Sequence, residues 1–111
     1  MPSELQSLKA DLFRGLAHPA RIRVLELLTA RERSVQDLQD ALGLDQPAVS
    51  QHLAALRARH LVTTRKDGTL VYYGLASRLT ADLLRVARDL LSQRLTQGQS
   101  MLKELRREGR R

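Results

Sequence analysis

The sequence predicts a mainly α fold with one small β-hairpin, an α+β class, and three observations lead to this prediction. Leucine, valine and alanine supply almost all of the apolar side chains, and the chain has three aromatic residues and no tryptophan. Such a composition favours helices. Leucines also recur at helical spacing over most of the 111 residues. One segment, LVTTRKDGTLVYYGL, instead alternates around an Asp-Gly pair, which is typical of a hairpin.

The first two helices are predicted from their N-terminal caps. Ser3 and Gln6 form a capping box ahead of leucines at helical spacing, so a first helix runs roughly over Glu4–Leu16. His18 takes the N-cap position of the second helix. Pro19 follows at the first helical position, where its missing N–H has no partner to lose. The residues predicted on the buried side of this helix are Ile22, Val24, Leu25, Leu27 and Leu28.

Two further helices, joined by a tight turn, are predicted next. Ser34 caps a short third helix, and Gly43 ends it because glycine tolerates a left-handed backbone. Asp45 then caps a fourth helix, and Pro47 lies in its first turn, where proline is tolerated. The core residues predicted on this fourth helix are Val49, Leu53 and Leu56.

A hairpin and a last helix complete the predicted order α-α-α-α-β-β-α. The hairpin turns at Asp67-Gly68, between two β-prone runs. The last helix begins at about Ser77 or Thr80 and carries leucines as far as Leu95. We expect residues 1–105 to form one domain and the basic residues 106–111 to form a disordered tail.

The composition also indicates the cellular compartment and the binding partners of the protein. The chain has no cysteine and no long apolar segment, so we expect a cytoplasmic protein without a membrane partner. Nineteen Lys and Arg residues against twelve Asp and Glu residues give a formal charge of +7. This balance is typical of proteins that bind polyanions, and nucleic acid is the leading candidate.

Helices followed by a hairpin in this order are the arrangement of a winged helix-turn-helix. In that fold the second helix of the motif, here the fourth helix of the chain, enters the major groove of double-stranded DNA, and the hairpin, or wing, reaches along the backbone. Polar residues at the start of this helix face outward, and glutamine, serine and alanine suit base edges. The predicted reading face is Gln46, Ala48, Ser50, Gln51 and His52. The predicted backbone and wing contacts are Arg57, Arg59, Arg65, Lys66 and Thr69.

Two segments of the chain resemble a known family. They are LAHPARIRVLELL and SVQDLQDALGLDQPAVSQHLAALRARHLVTTRKDGTLVYYGL, and over roughly residues 12–75 they closely resemble the bacterial ArsR/SmtB transcriptional repressors. The resemblance implies a homodimer that pairs through its first and last helices and blocks a promoter until an effector binds. A two-fold dimer implies an inverted-repeat operator. Leucine stripes on these two helices agree with this, and the predicted interface residues are Leu5, Leu8, Leu12, Leu84, Leu91 and Leu95.

The family's metal sites do not carry over to this chain. Ser34 stands where the third-helix site has a thiolate. The positions of the last-helix site hold Ser77, Leu79, Leu90 and Gln93. Leucine is not a ligand for a divalent ion, and arsenite and cadmium need thiolates, so we expect no required cofactor. A weaker nickel or zinc site that uses His18 or His60 with carboxylates across the dimer stays open.

Catalysis and binding to protein or RNA are the alternatives to DNA binding. Ser50 and His52 are the one pair of residue types that could act as nucleophile and base. Side chains two residues apart on a helix point about 200° away from each other, so these two cannot form a hydrogen-bonded catalytic pair. We therefore expect no enzyme. A winged-helix module that acts as an activator, or that binds a protein or RNA partner, fits the same composition. An effector or partner protein of unknown identity is also compatible with the sequence.

Overall fold

A computed structural model describes residues 3–109 of the chain. Five helices and three strands lie within this range. In chain order they are α1 (Glu4–Leu16), α2 (Pro19–Ala30), β1 (Arg33–Ser34), α3 (Val35–Leu42), α4 (Gln46–Ala58), β2 (Val62–Asp67), β3 (Leu70–Leu75) and α5 (Arg78–Glu108). One compact unit ends at Ala81, and the second begins at Asp82 and contains the rest of α5. The predicted class, mainly helical with a hairpin wing, is confirmed.

The predicted helix starts are confirmed because each depends on a local cap. Ser3 Oγ accepts the Gln6 amide at 3.1 Å, and Gln6 Oε1 accepts the Ser3 amide at 3.0 Å, so the capping box of α1 is complete. His18 Nδ1 accepts the Ala20 amide at 3.1 Å and caps α2, with Pro19 at its first position.

The centre of the core of the first unit is formed by α2, α3 and α4. Its largest fully buried side chains are Val24, Leu25, Leu38, Val49, Leu53 and Leu56. Five of these six were predicted from helical spacing to lie on the buried faces of α2 and α4, and Leu38 comes from α3. Ile22, also predicted in the core, is half-buried. Burial of these side chains holds α4 against the rest of the domain.

The sheet has three strands in the order β1-β3-β2. The hairpin pairs antiparallel from Val62 opposite Leu75 to Asp67 opposite Leu70, and Gly68 begins its two-residue turn with φ +63°. The predicted order lacked β1, whose two residues pair with Tyr73 and Tyr72 of β3. Two residues are too few to show a period of two, so pairing with a distant strand, rather than local pattern, forms β1.

The last helix is longer than the sequence predicts. It spans 31 residues and continues through Gly98 to Glu108, whereas a disordered tail was predicted over residues 106–111. Leucine, lysine, glutamate and arginine dominate its last two turns, and their helix propensity outweighs the one glycine. Arg110 and Arg111 lie outside the described residues. Within residues 3–109, no helix is both long and apolar enough to cross a membrane.

Candidate nucleic-acid interface

The helix α4 is capped at its start and anchored along one side. Asp45 Oδ1 accepts the Ala48 amide at 3.0 Å, which satisfies one of the helix's first backbone donors. Gly43 ends α3 with φ +67°, so the chain passes from α3 into α4 within three residues. The buried residues of α4 are Val49, Leu53 and Leu56. Residues 45–47 are exposed, so the helix presents its N-terminal end at the surface.

Four of the five residues of the predicted reading face lie together at this end. Gln46 and Gln51 are exposed, and Ala48 and Ser50 are half-buried. Gln46 Nε2 donates to Ser50 Oγ at 2.7 Å, which orients both side chains. The amide oxygen of Gln46 and the hydroxyl hydrogen of Ser50 remain for a ligand. Donors and acceptors of this kind match base edges in the major groove, and their contact with DNA stays a prediction.

The sequence predicts that the fifth residue, His52, faces outward, but in the structure it is turned toward the domain. Its ring is half-buried and turned toward α2, where Arg21 Nε donates to His52 Nδ1 at 3.2 Å. The His18 ring lies 4.4 Å away between centroids. Position 52 borders the buried stripe of α4, three residues after Val49, and the ring therefore packs on the domain. Burial lowers the pKa of His52 from its usual value, and the charges of His18 and Arg21 lower the pKa further.

The chain leaves α4 through a left-handed residue and enters the wing. His60 has φ +59° and stands where glycine commonly ends a helix. The His60 amide donates to the Arg57 carbonyl oxygen at 3.0 Å, and the Leu61 amide donates to the Leu56 carbonyl oxygen at 3.0 Å. These two bonds form a Schellman motif, which sets the direction in which the wing departs.

One predicted wing contact, Arg65, has a partner inside the protein. Its Nε donates to both carboxylate oxygens of Glu32, at 3.2 and 3.3 Å. Its guanidinium lies 4.9 Å from the centroid of the Tyr72 ring. The ion pair is about half exposed and therefore weak, but it orients the side chain on the wing. Glu32 was not predicted as part of this site, and only its position next to β1 brings it there.

Two other basic residues remain available for phosphate. Arg57, near the end of α4, and Lys66, on β2, are exposed and form no salt bridge within residues 3–109. Thr69 is exposed in the wing turn. Exposed cations at the end of α4 and on the wing are suited to contact the DNA backbone, and this contact stays a prediction.

The remaining basic residue of the predicted set, Arg59, is not available in the same way. Its guanidinium is bonded to Asp11 on α1 and to the Ala55 carbonyl oxygen, and its side chain is only 25% exposed. The sequence predicted a phosphate contact because Arg59 follows the reading helix. In the structure its guanidinium donors are instead bonded to Asp11 and to the Ala55 carbonyl oxygen.

The predicted dimer residues leave much apolar surface uncovered in the single chain. Leu5, Leu8, Leu91 and Leu95 are between 51% and 68% exposed, while Leu12 and Leu84 are half-buried. The sequence prediction of the interface missed further exposed apolar residues on the same two helices. They include Phe13, Val86, Met101, Leu102 and Leu105. The spacing of Leu91, Leu95, Leu102 and Leu105 by four, seven and three residues was the signal that could have found the last two.

Within one chain, residues 3–109 do not bring the candidate metal ligands together, and a site across the dimer stays a prediction. No group of three or more His, Asp or Glu residues suited to hold a metal occurs within residues 3–109. His18 Nδ1 is occupied by the Ala20 amide, and His60 is exposed at the end of α4. Ser77 Oγ accepts the Leu79 amide at 3.1 Å, which makes it a helix cap.

Comparison with known proteins agrees with this geometry. The protein-family model described as "Bacterial regulatory protein, arsR family" matches residues 18–64, from the cap of α2 to β2. The uncharacterized HTH-type transcriptional regulator Rv0081 of Mycobacterium tuberculosis is 45% identical over 111 residues, which are 98% of this chain and 97% of the relative. The HTH-type transcriptional repressor SmtB of the same organism is 40% identical over 83 residues, 75% of this chain and 62% of the repressor.

Solved structures show the same fold. The crystal structure of M. tuberculosis Rv0081 matches with a TM-score of 0.82 and 44% identity, over 86% of this chain and 97% of that one. The solution structure of the homodimeric winged helix-turn-helix DNA-binding domain Mb0332 from Mycobacterium bovis matches with a TM-score of 0.75 and 29% identity, over 84% and 90%. With these relatives, and with α3, α4 and the wing in family order, the chain belongs to the ArsR family of bacterial transcriptional regulators.

Proposed function

We propose that this chain is a homodimeric transcriptional repressor that binds an inverted repeat in double-stranded DNA through α4. The exposed start of α4 carries the proposal, because Gln46, Ser50 and Gln51 offer hydrogen-bonding groups at the end of the helix that a major groove admits. Two exposed cations follow this end of the helix in the chain. They are Arg57, near the end of α4, and Lys66, on β2. Such cations supply affinity for any sequence, whereas the polar groups supply selectivity.

Exposed leucines on α1 and α5 support the homodimer. Leu5, Leu8, Leu91 and Leu95 are more than half exposed, and a soluble monomer rarely leaves so many large apolar side chains on two helices uncovered. Pairing of like faces about a two-fold axis would cover them. It would also give the assembly two copies of α4, as an inverted repeat requires. The neighbour Mb0332 is described as homodimeric.

Repression is proposed from the relatives of this chain, and the kind of effector is proposed from the side chains that could bind one. SmtB, a relative of this chain, is named a repressor. With no cysteine in the chain, arsenite and cadmium lack the thiolates they need, so we propose that another effector or a partner protein relieves repression. Nickel or zinc bound through His18 or His60 is the metal alternative. Such a protein acts by binding rather than by catalysis, in the cytoplasm where the promoter lies.

Selection of bound duplexes from a random DNA pool tests the proposal. The protein should recover an inverted repeat whose half-site centres lie about one helical turn, or a small multiple, apart. Sedimentation of the complex should show two chains on each duplex. Recovery of sequences no different from the starting pool, or of a motif without two-fold symmetry, would contradict it. Calorimetric titration with nickel and zinc, with and without the selected duplex, tests the metal alternative.

A further inference from the structure

Arg59, at the end of α4, makes three hydrogen bonds, two to α1 and one back to α4. Its Nε donates to the Asp11 carbonyl oxygen at 3.2 Å, and its Nη2 donates to Asp11 Oδ1 at 3.3 Å. Its Nη1 donates to the Ala55 carbonyl oxygen, one turn earlier in α4, at 3.1 Å. One planar guanidinium therefore bonds both helices at once, which a lysine ammonium on a flexible stem does not reproduce.

Gly15 gives the Arg59 side chain room to lie against α1. A Cβ at position 15 would clash with Arg59 Cδ and would stand 3.0 Å from its Nε, closer than an ordinary contact. Gly15 has no positive φ, so the backbone does not require glycine there. The requirement is space, and any side chain at this position would force the Arg59 side chain to shift from its place against α1.

The two helices that Arg59 joins have different tasks in the proposed function. Leu5 and Leu8 of α1 belong to the proposed dimer interface, and α4 carries the reading face. A link between these helices relates the orientation of α4 to the proposed dimer interface. In a dimer paired through α1, the separation of the two α4 helices would depend on the angle between α1 and α4.

We propose that Arg59 is a positioning residue that sets the spacing between operator half-sites accepted by the dimer. This inference rests on the proposed function. Arg59 acts on DNA through α4 and not by contact with phosphate, since three of its donor groups are satisfied inside the protein. Asp11 is about half exposed, so the ion pair adds little to folding stability, and its loss should affect orientation more than folding.

The test compares binding to the selected operator and to versions whose central spacer is one or two base pairs shorter or longer. The wild-type dimer should prefer its own spacing at least tenfold. Arg59→Gln and Gly15→Ala should each reduce this preference to less than threefold, because both release α4 from Asp11. Sedimentation and thermal melting should show that both variants remain folded dimers.

A matched control separates positioning from phosphate binding. Arg57→Gln, two residues earlier and exposed, should weaken binding to every spacer equally and lower the salt dependence of log affinity by about 1.8 per dimer. Arg59→Gln should change that salt dependence by less than about 0.5, since it removes no phosphate contact.

The outcomes distinguish this inference from the function on which it rests. An Arg59→Gln dimer that keeps the full wild-type spacing preference, or that behaves as Arg57→Gln does, overturns the positioning role and leaves the proposed function intact. Unfolding of both Arg59→Gln and Gly15→Ala also overturns it, because Arg59 would then serve stability. A wild-type protein that shows no preference among spacers, or for the operator over random duplex, overturns the proposed function itself.

Discussion

Replacement of Lys66 by glutamine should make DNA binding less sensitive to salt. Lys66 is exposed on β2 and forms no salt bridge within residues 3–109, so DNA phosphate need not displace an internal partner. Each phosphate contact contributes about 0.9 to the slope of log affinity against log salt, and a dimer has two wings, so the slope should fall by about 1.8. Between about 50 and 200 mM salt, the variant should therefore lose about 12-fold less affinity than the wild type.

Fluorescence anisotropy with a labelled operator, repeated over this range of salt, measures the slope directly. Lys9→Gln is the matched control, because Lys9 is an exposed lysine on α1, away from the wing in the chain. Its slope should equal that of the wild type. If Lys66→Gln and Lys9→Gln give the same slope, the wing does not contact phosphate through Lys66, and the reasoning from exposed cations is wrong.

The remaining predictions concern pH, helix capping and the dimer. The pKa of His52 is lowered from 6.5, so the unfolded chain takes up protons first as pH falls. The free energy of unfolding that depends on His52 should therefore be fully present above about pH 6.5 and be lost as pH falls through the pKa of His52 in the folded state. Urea unfolding should show this loss in His60→Asn but not in His52→Gln. Ser34→Ala should destabilise the domain by about 1 kcal/mol in the same assay, because Ser34 Oγ caps α3 at 3.1 Å. Leu102→Glu should shift sedimentation toward the monomer, whereas Ser100→Glu, which adds the same charge on the other side of α5, should not; equal effects would exclude this stripe from the interface.

Most of the fold could be predicted because its signals are local. Ser3, His18, Gly43 and Asp45 act on backbone groups within a few residues, and the structure has each of them at the predicted cap. The strand β1 could not be predicted in this way. It exists through pairing with β3 about forty residues later in the chain, and its two residues carry no periodicity of their own.

The candidate site was predicted less completely, because helical spacing gives the direction of a side chain but not its partner. Gln46 and Gln51 lie where the spacing predicts. His52 and Arg59 are turned to Arg21 and Asp11, which are 31 and 48 residues away in sequence. A cationic or ring side chain at the edge of a buried stripe can face DNA or the domain. Only the tertiary arrangement decides between these two.

The central claim is that α4 reads DNA sequence, and the ratio of two affinities tests it most directly. These are the affinities for the selected inverted repeat and for a scrambled duplex of equal length, measured at one salt concentration. The wild type should prefer the repeat by about 10³-fold or more. Gln51→Ala should lower this ratio at least about tenfold, because a well-placed amide pair with a base contributes about 1–3 kcal/mol of discrimination. Gln97→Ala, an exposed glutamine on α5, should leave the ratio unchanged. A wild-type ratio near one, or equal ratios for the two variants, would contradict the account.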